Sequence, residues 1–297
     1  MSLATQFTFA MTLLVSVVLF DGILSLLIKR MGKRPAPGGR EGRMLRQPGE
    51  GRWERMEQVR DQMQVELLDA LCVPLVVVGI PALIVMALPS GVARTLLLGF
   101  IGLGYVVSTS YRGWRILKLM RELKELRAGL KAERVVADQL QSAAGGGFYV
   151  FHDAVVPGPQ KQQHIDHLVV GPTGVYAIDT LTQEKPGETA QADRVSFTGD
   201  ALVWPTGADA ESPREATTHA EQVQAYLHDR LGVAVPVQPV LALPGWQVEG
   251  SGHGPVAVMN PRQFPSLLFG RPVLDVRTVD AIRRQFDTLC RNVPCEV

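Results

Sequence analysis

Three apolar stretches in the first 111 residues constrain this chain more than any other feature. Residues 7–28 carry a single charge, Asp21; residues 71–88 carry none; residues 95–111 carry none, with Arg94 just ahead. A helix of roughly 20 apolar residues spans the hydrocarbon core of a bilayer. The first stretch has that length. The other two reach it by borrowing a flanking turn, so the third runs from about 92 to 111, and Pro89-Ser90-Gly91 forms the turn between them. Buried core helices of a soluble protein would keep a polar stripe along one face. Pro74 and Pro81 are compatible with membrane helices. The expectation is three transmembrane helices within a membrane region covering residues 1–111.

Lys and Arg set the orientation. Residues 1–6 contain neither, residues 29–60 contain ten, the turn before the third stretch has only Arg94, and residues 112–127 contain six. The positive-inside rule then places the N-terminus outside, 29–70 in the cytoplasm and 112–297 in the cytoplasm. That is a multi-pass protein of the cytoplasmic (inner) membrane. The Pro- and Gly-rich run 35–51 reads as a mobile linker whose basic charges meet anionic lipid headgroups. Trp53, Met56, Val59 and Met63 recur at helical spacing, so 52–69 is expected to be an amphipathic helix. A membrane surface or the protein's own helices would cover its apolar face equally well.

After the third stretch a helix continues. Ile116, Leu119, Leu123, Leu126 and Leu130 step by three and four, an a/d seam about two heptads long. Residues 112–127 form a stalk, and the 116–130 stripe either packs on the chain's own helices or joins two copies in a homodimer.

Charge divides the chain at this point. Residues 1–127 hold 17 Lys and Arg against 10 Asp and Glu, whereas residues 128–297 hold 13 against 19, so +7 faces −6. A basic apolar half precedes an acidic, more polar half. An acidic domain does not bind nucleic acid through general phosphate neutralisation. The three cysteines (Cys72, Cys290, Cys295) make no disulfide framework and no zinc spacing, which fits a reducing compartment.

The acidic half alternates element types. Runs of β-formers at 148–156, 162–170 and 175–181 precede a hairpin around Gly199-Asp200, a helix at 213–231, strands at 237–243 and 256–259, and helices at 261–268 and 279–292. That order specifies an α/β (α+β) domain with a mixed sheet flanked by helices. Two acids stand inside apolar strands, Asp166 in Ile165-Asp166-His167 and Asp179 in Ile178-Asp179. A carboxylate there is costly unless something binds it. Joined by the tight turn 171–174, the two can converge, and hard oxygen ligands of this kind suit Mg²⁺; Glu133 stands on the preceding helix. Hydrogen-bonded or edge-exposed carboxylates would give the same pattern. His164 shares the strand face of Asp166.

Gly129 and Glu133, Ile165-Asp166-His167, Gly174-Val175-Tyr176, Ile178-Asp179 and Gln222 occur in an order that resembles the nuclease-related domain (NERD) family, a branch of the PD-(D/E)xK nuclease superfamily. The resemblance covers roughly 128–245, leaving 246–297 as an extension packed on the domain. It implies a restriction-endonuclease-like fold, an activity on DNA or RNA, and Glu133, Asp166 and Asp179 as ligands of a catalytic Mg²⁺ or Mn²⁺. The family's catalytic Lys position is Leu181 here, and Lys185, four residues on, is the nearest replacement. Two functions follow from the resemblance: a Mg²⁺-dependent nuclease or phosphodiesterase at the cytoplasmic face, or a catalytically degenerate domain serving as a membrane-tethered binding or scaffold module.

Overall fold

The computed structural model describes residues 45–73, 78–86, 88–89, 91–145, 147–158, 162–187, 193–250 and 255–291. The first expected span, 7–28, lies outside the described residues, and the second, 71–88, lies partly outside them. The chain divides into two compact units. One holds Arg55–Glu125; the other joins the segment ending at Glu54 to the residues from Leu126 onward.

Three helices lead the described chain: α1 (Glu50–Val73), α2 (Ile80–Met86) and α3 (Val92–Ala143). Helix α3 fuses the expected third span and the stalk into 52 continuous residues, about 78 Å at 1.5 Å per residue. Its apolar first part is long enough to cross a membrane, and none of that window is buried in the protein. Phe100 is 73% exposed and Leu103 is 61% exposed, which water would not favour. Among the described residues it is the one helix that meets the length and composition of a span.

The expected amphipathic helix is α1, and it packs on its own chain. Arg55 pairs with Glu122 at 2.9 Å, Glu66 with Arg115 at 2.9 Å, and Asp69 with Arg112 at 3.5 Å. These pairs run in opposite senses along the two helices, so α1 and α3 are antiparallel there. Val59, on the predicted stripe, is fully buried, as are most of the side chains of Leu119 and Leu123 on the heptad seam. Of the predicted stripe on α1, Val59 is buried and Met56 and Met63 are half-buried, while Trp53 is exposed.

The second unit is built on strands β1 (Tyr149–Val156), β2 (Gln163–Gly171), β3 (Gly174–Thr180), β4 (Arg194–Phe197), β5 (Leu202–Trp204), β6 (Gly207–Asp209), β7 (Val237–Ala242), β8 (Gln247–Glu249) and β9 (Ala257–Met259). Five form a central sheet ordered β1-β2-β3-β7-β9. The first three are antiparallel and the last three parallel, so the sheet is mixed, as the element order implied. A second sheet, β6-β5-β4-β8, extends the predicted hairpin.

Helices cover both faces of the central sheet. On one face, Val223 and Leu227 of α4 (Glu211–Leu231) and Ile282 and Phe286 of α6 (Val276–Leu289) pack on Leu168 and Ala177. On the other, Val136 and Leu140 of α3 and Phe264 of α5 (Phe264–Leu268) pack on Val169 and Ile178. Each such buried side chain contributes roughly 1.5–3 kcal/mol. Two-sided burial explains why β2 and β3 read as nearly unbroken apolar runs. Helices α5 and α6 belong to the extension after 245, and they complete both cores. The Asp209 carboxylate accepts from the N–H groups of Glu211 and Ser212 to start α4, and Gly232, at φ +68, ends it.

Candidate acid site

Strand register gathers the acids. In β1 and β2, His152 stands opposite His167 and Ala154 opposite Ile165, which sets Asp153 beside Asp166. In β2 and β3, His167 stands opposite Ile178, and the next step sets Asp166 beside Asp179. Three aspartates therefore form a row across three neighbouring strands. At Asp153 the backbone takes φ +50, the left-handed region, and the β1–β2 pairing skips that residue. Glu133 joins the row from α3. It lies three and seven residues before Val136 and Leu140, on the helix face that covers the sheet, and only 1% of it is exposed.

The cations that meet these acids come largely from residues 45–54, a strap leading into α1. Leu45 bridges to Arg291, and the Arg46 N–H donates to the Cys290 carbonyl at 3.0 Å. The Arg46 guanidinium is buried against Asp153, 3.2 Å from Oδ2, and also donates to the Asp153 carbonyl. The Gly51 N–H donates to the same carboxylate at 3.1 Å. The next residue, Arg52, enters the site: its Nε meets Glu133 Oε1, and its Nη2 lies 3.6 Å from Asp166 Oδ2. One glycine makes room for it: a Cβ at Gly129 would collide with the Arg52 guanidinium. A Cβ at Gly49, whose φ is +74, would instead collide with the Leu130 side chain and meet Glu133 Oε2 at 2.9 Å. The other oxygen contacts are local. Asp166 Oδ2 accepts the Thr180 N–H at 2.7 Å, and the His219 Nδ1–H of α4 donates to Asp179 Oδ2 at 2.8 Å.

Four carboxylates thus face two guanidiniums and two imidazoles, and burial shifts two of the carboxylates. Burial pushes Glu133 up to about 8, and the Asp166 charge adds to this against the pull of Arg52. Burial also raises Asp166 to about 6, with Arg52 opposing and Asp179 reinforcing. For His219 burial alone would lower the pKa, but the hydrogen bond and charge of Asp179 outweigh it and the net direction is up.

Glu133, Asp166 and Asp179 are therefore brought into one electrostatic cluster. Lys185 is not brought to it. Its ammonium lies 5.6 Å from the centre of the Trp246 ring, and it makes no ion pair with the three acids. Leu181 is half-buried against the apolar cluster that includes Trp204, Leu241 and Trp246. His164 is largely exposed, 3.9 Å from Asp153 Oδ1. His167 turns the opposite way, fully buried, with its Nδ1 2.9 Å from His152 Nδ1. One proton serves that pair, and burial holds both imidazoles below their ordinary range, His152 at about 4.

Arg46, Arg52, Asp153 and His219 were not anticipated. The linker reading of 35–51 is corrected from Leu45 onward. Its basic charge at Arg46 is bound to the Asp153 carboxylate rather than to headgroups, in a charge-assisted pair that is buried in the domain.

A divalent ion does not fit this arrangement as folded. The space between Glu133 and Asp166 holds a guanidinium, and Asp179 is turned to His219. Among the described residues no three His, Cys, Asp or Glu side chains gather as a metal-ligand set.

A mixed sheet flanked by helices is consistent with a nuclease-like domain. Residues 128–244 match the family described as nuclease-related domain (NERD), so a domain of that family lies in this chain. No curated protein and no solved structure matches the chain.

Proposed function

We propose that this chain is a membrane-anchored protein whose nuclease-related domain acts as a binding or scaffold module at the cytoplasmic face. The observation that carries the reading is Arg52, seated between Glu133 and Asp166 where the family's activity would need a metal. Leu181 supports it: an apolar side chain packed against tryptophans cannot stabilise a phosphoryl transition state. The experiment is cleavage of single- and double-stranded DNA and RNA by the full-length protein with Mg²⁺ or Mn²⁺. The expected result is no cleavage above that of Asp166→Asn. Metal-dependent cleavage that this substitution abolishes would overturn the reading.

Membrane anchoring rests on the exposed apolar part of α3 together with the apolar stretches at 7–28 and 71–88. The arrangement with the N-terminus outside and 112–297 inside rests on the distribution of Lys and Arg. A second function, a Mg²⁺- or Mn²⁺-dependent nuclease acting on DNA or RNA, is favoured by one feature: the site holds more carboxylates than cations. Nuclease-like domains commonly use divalent metals, and Glu133, Asp166 and Asp179 are the residues the family resemblance assigns to one.

A further inference from the structure

We propose that α3 carries, just past its apolar part, a binding site for the headgroup of an anionic phospholipid, built from Trp114, Lys118 and Arg121. The proposal rests on the membrane-anchored reading and goes beyond it by naming the class of lipid and the side chains that hold it.

The charge of α3 is one-sided over this stretch. From Val92 to Arg121 the sequence has no Asp or Glu, and it has five cations: Arg94, Arg112, Arg115, Lys118 and Arg121. Two of them are taken by α1, Arg112 by Asp69 and Arg115 by Glu66. Lys118 and Arg121 lie with Trp114 on the helix face away from the buried Leu119 and Leu123. Among the described residues neither of the two pairs with an acid.

The side chains beside these cations are apolar and open. Tyr111, Trp114, Leu117 and Met120 are each more than half exposed, Trp114 at 61%. Tyr and Trp, with an apolar body and a polar tip, suit the boundary between hydrocarbon and water. The same level of α1 is apolar too. The pairs of Asp69 with Arg112 and of Glu66 with Arg115 set Leu67 and Leu68 level with this part of α3, and both leucines are about half exposed. The open apolar groups therefore form a belt at one level on two helices. A docked protein covers one face, whereas a lipid layer covers a belt.

Side-chain direction completes the site. In an α-helix the side chains lean toward the N-terminus, which on α3 is toward its apolar part. Lys118 shows this: its ammonium lies 6.0 Å from the centre of the Trp114 ring, and that ring lies 6.3 Å from the ring of Tyr111. Trp114 is three residues past Tyr111, about 4.5 Å along the helix. That distance falls inside a headgroup layer roughly 5–7 Å thick. A phosphodiester there meets an ammonium, a guanidinium and the indole N–H. A zwitterionic headgroup brings its own cation against Lys118 and Arg121, and an anionic one does not.

The test is quenching of tryptophan fluorescence in vesicles that hold the full-length protein with equal parts of phosphatidylcholine and phosphatidylglycerol, one lipid or the other carrying brominated chains. The Trp114 signal is the difference between wild type and Trp114→Phe. Brominated phosphatidylglycerol should quench it more strongly than brominated phosphatidylcholine. Lys118→Gln and Arg121→Gln should each lower that preference about fivefold, the effect of one basic residue at an anionic surface. All three side chains are exposed, so the substitutions remove no core packing. Equal quenching by the two lipids overturns the proposal. So does an absence of quenching by either, which gives this face to water or to a second copy of the chain. Loss of the preference in excess inorganic phosphate, at matched ionic strength, would make free phosphate the ligand and overturn the lipid site. Flotation with the vesicles separates the two readings: a protein that floats while Trp114 shows no lipid preference keeps its anchor and loses this site, whereas a protein that does not float loses the anchor itself.

Discussion

Glu133→Gln should make this protein more stable at alkaline pH and leave it unimproved at acid pH. Glu133 has an ordinary pKa of 4.5, and in the folded domain it is pushed up to about 8. Below pH 4.5 the carboxyl is protonated in both folded and unfolded chains and contributes nothing. Between 4.5 and about 8 the unfolded chain releases the proton while the folded chain keeps it, so stability falls as pH rises. At about 1.36 kcal/mol per pKa unit this amounts to roughly 3 kcal/mol at pH 7 and about 5 kcal/mol above pH 8. Gln keeps the shape and cannot ionise. The attraction of Arg52 for the carboxylate is already contained in the pKa of about 8. The expected gain near pH 9 is therefore about 5 kcal/mol, or roughly 10–20 °C in Tm for a domain of this size. Thermal unfolding followed by tryptophan fluorescence suits the measurement, because Trp204 and Trp246 stack edge to face inside the domain at 4.7 Å. The difference between the two proteins should open steadily from pH 5 to pH 9. Parallel curves, offset by the same amount at every pH, would show that Glu133 titrates normally and that the acid site is not short of positive charge.

Arg46→Ala should destabilise the domain by about 3–5 kcal/mol in urea unfolding, since it leaves Asp153 as a buried unpaired charge, and adding Asp153→Asn should recover part of that loss. Leu181→Lys should lower Tm by several degrees, because the half-buried leucine packs on the tryptophan cluster, and should not by itself produce cleavage while Arg52 fills the site; cleavage restored by that one substitution would mean the missing Lys was the only obstacle. A reporter fused after Val297 should be active in the cytoplasm alone, and activity on the outer side would reverse the assigned orientation.

What could be read from the sequence and what could not divides along physical lines. Strands β1, β2, β3 and β7 were legible because burial on both faces forces nearly continuous β-branched and apolar runs. Strands β6 and β8 were not, since three residues beginning at Gly207 or Gln247 carry no periodicity. Asp166 and Asp179 were legible because an acid in an apolar strand needs an explanation. Asp153 satisfies the same criterion in β1, and continuing the hairpin register would have set it beside Asp166. His219 lies one helical turn before Gln222, so its face of α4 was already marked. Lys185 was chosen by closeness in sequence, yet the chain beyond Thr180 carries it to Trp246. Arg52 gave no such signal. It sits beside Trp53 at the start of an apolar stripe, and its partners lie in α3 and β2, far along the chain.

A different kind of inference would have reached Arg52. Four carboxylates on one sheet rim require compensating cations, and a domain with a net charge of −6 is a poor source of them. The other half of the chain carries +7, concentrated just after the first apolar stretch. Arg46 and Arg52 are where the two imbalances meet: the segment that carries them, ending in the first turn of α1, folds with the acidic domain although it precedes α3 in sequence. The charge asymmetry first read as separating two modules is, at this point, what joins them.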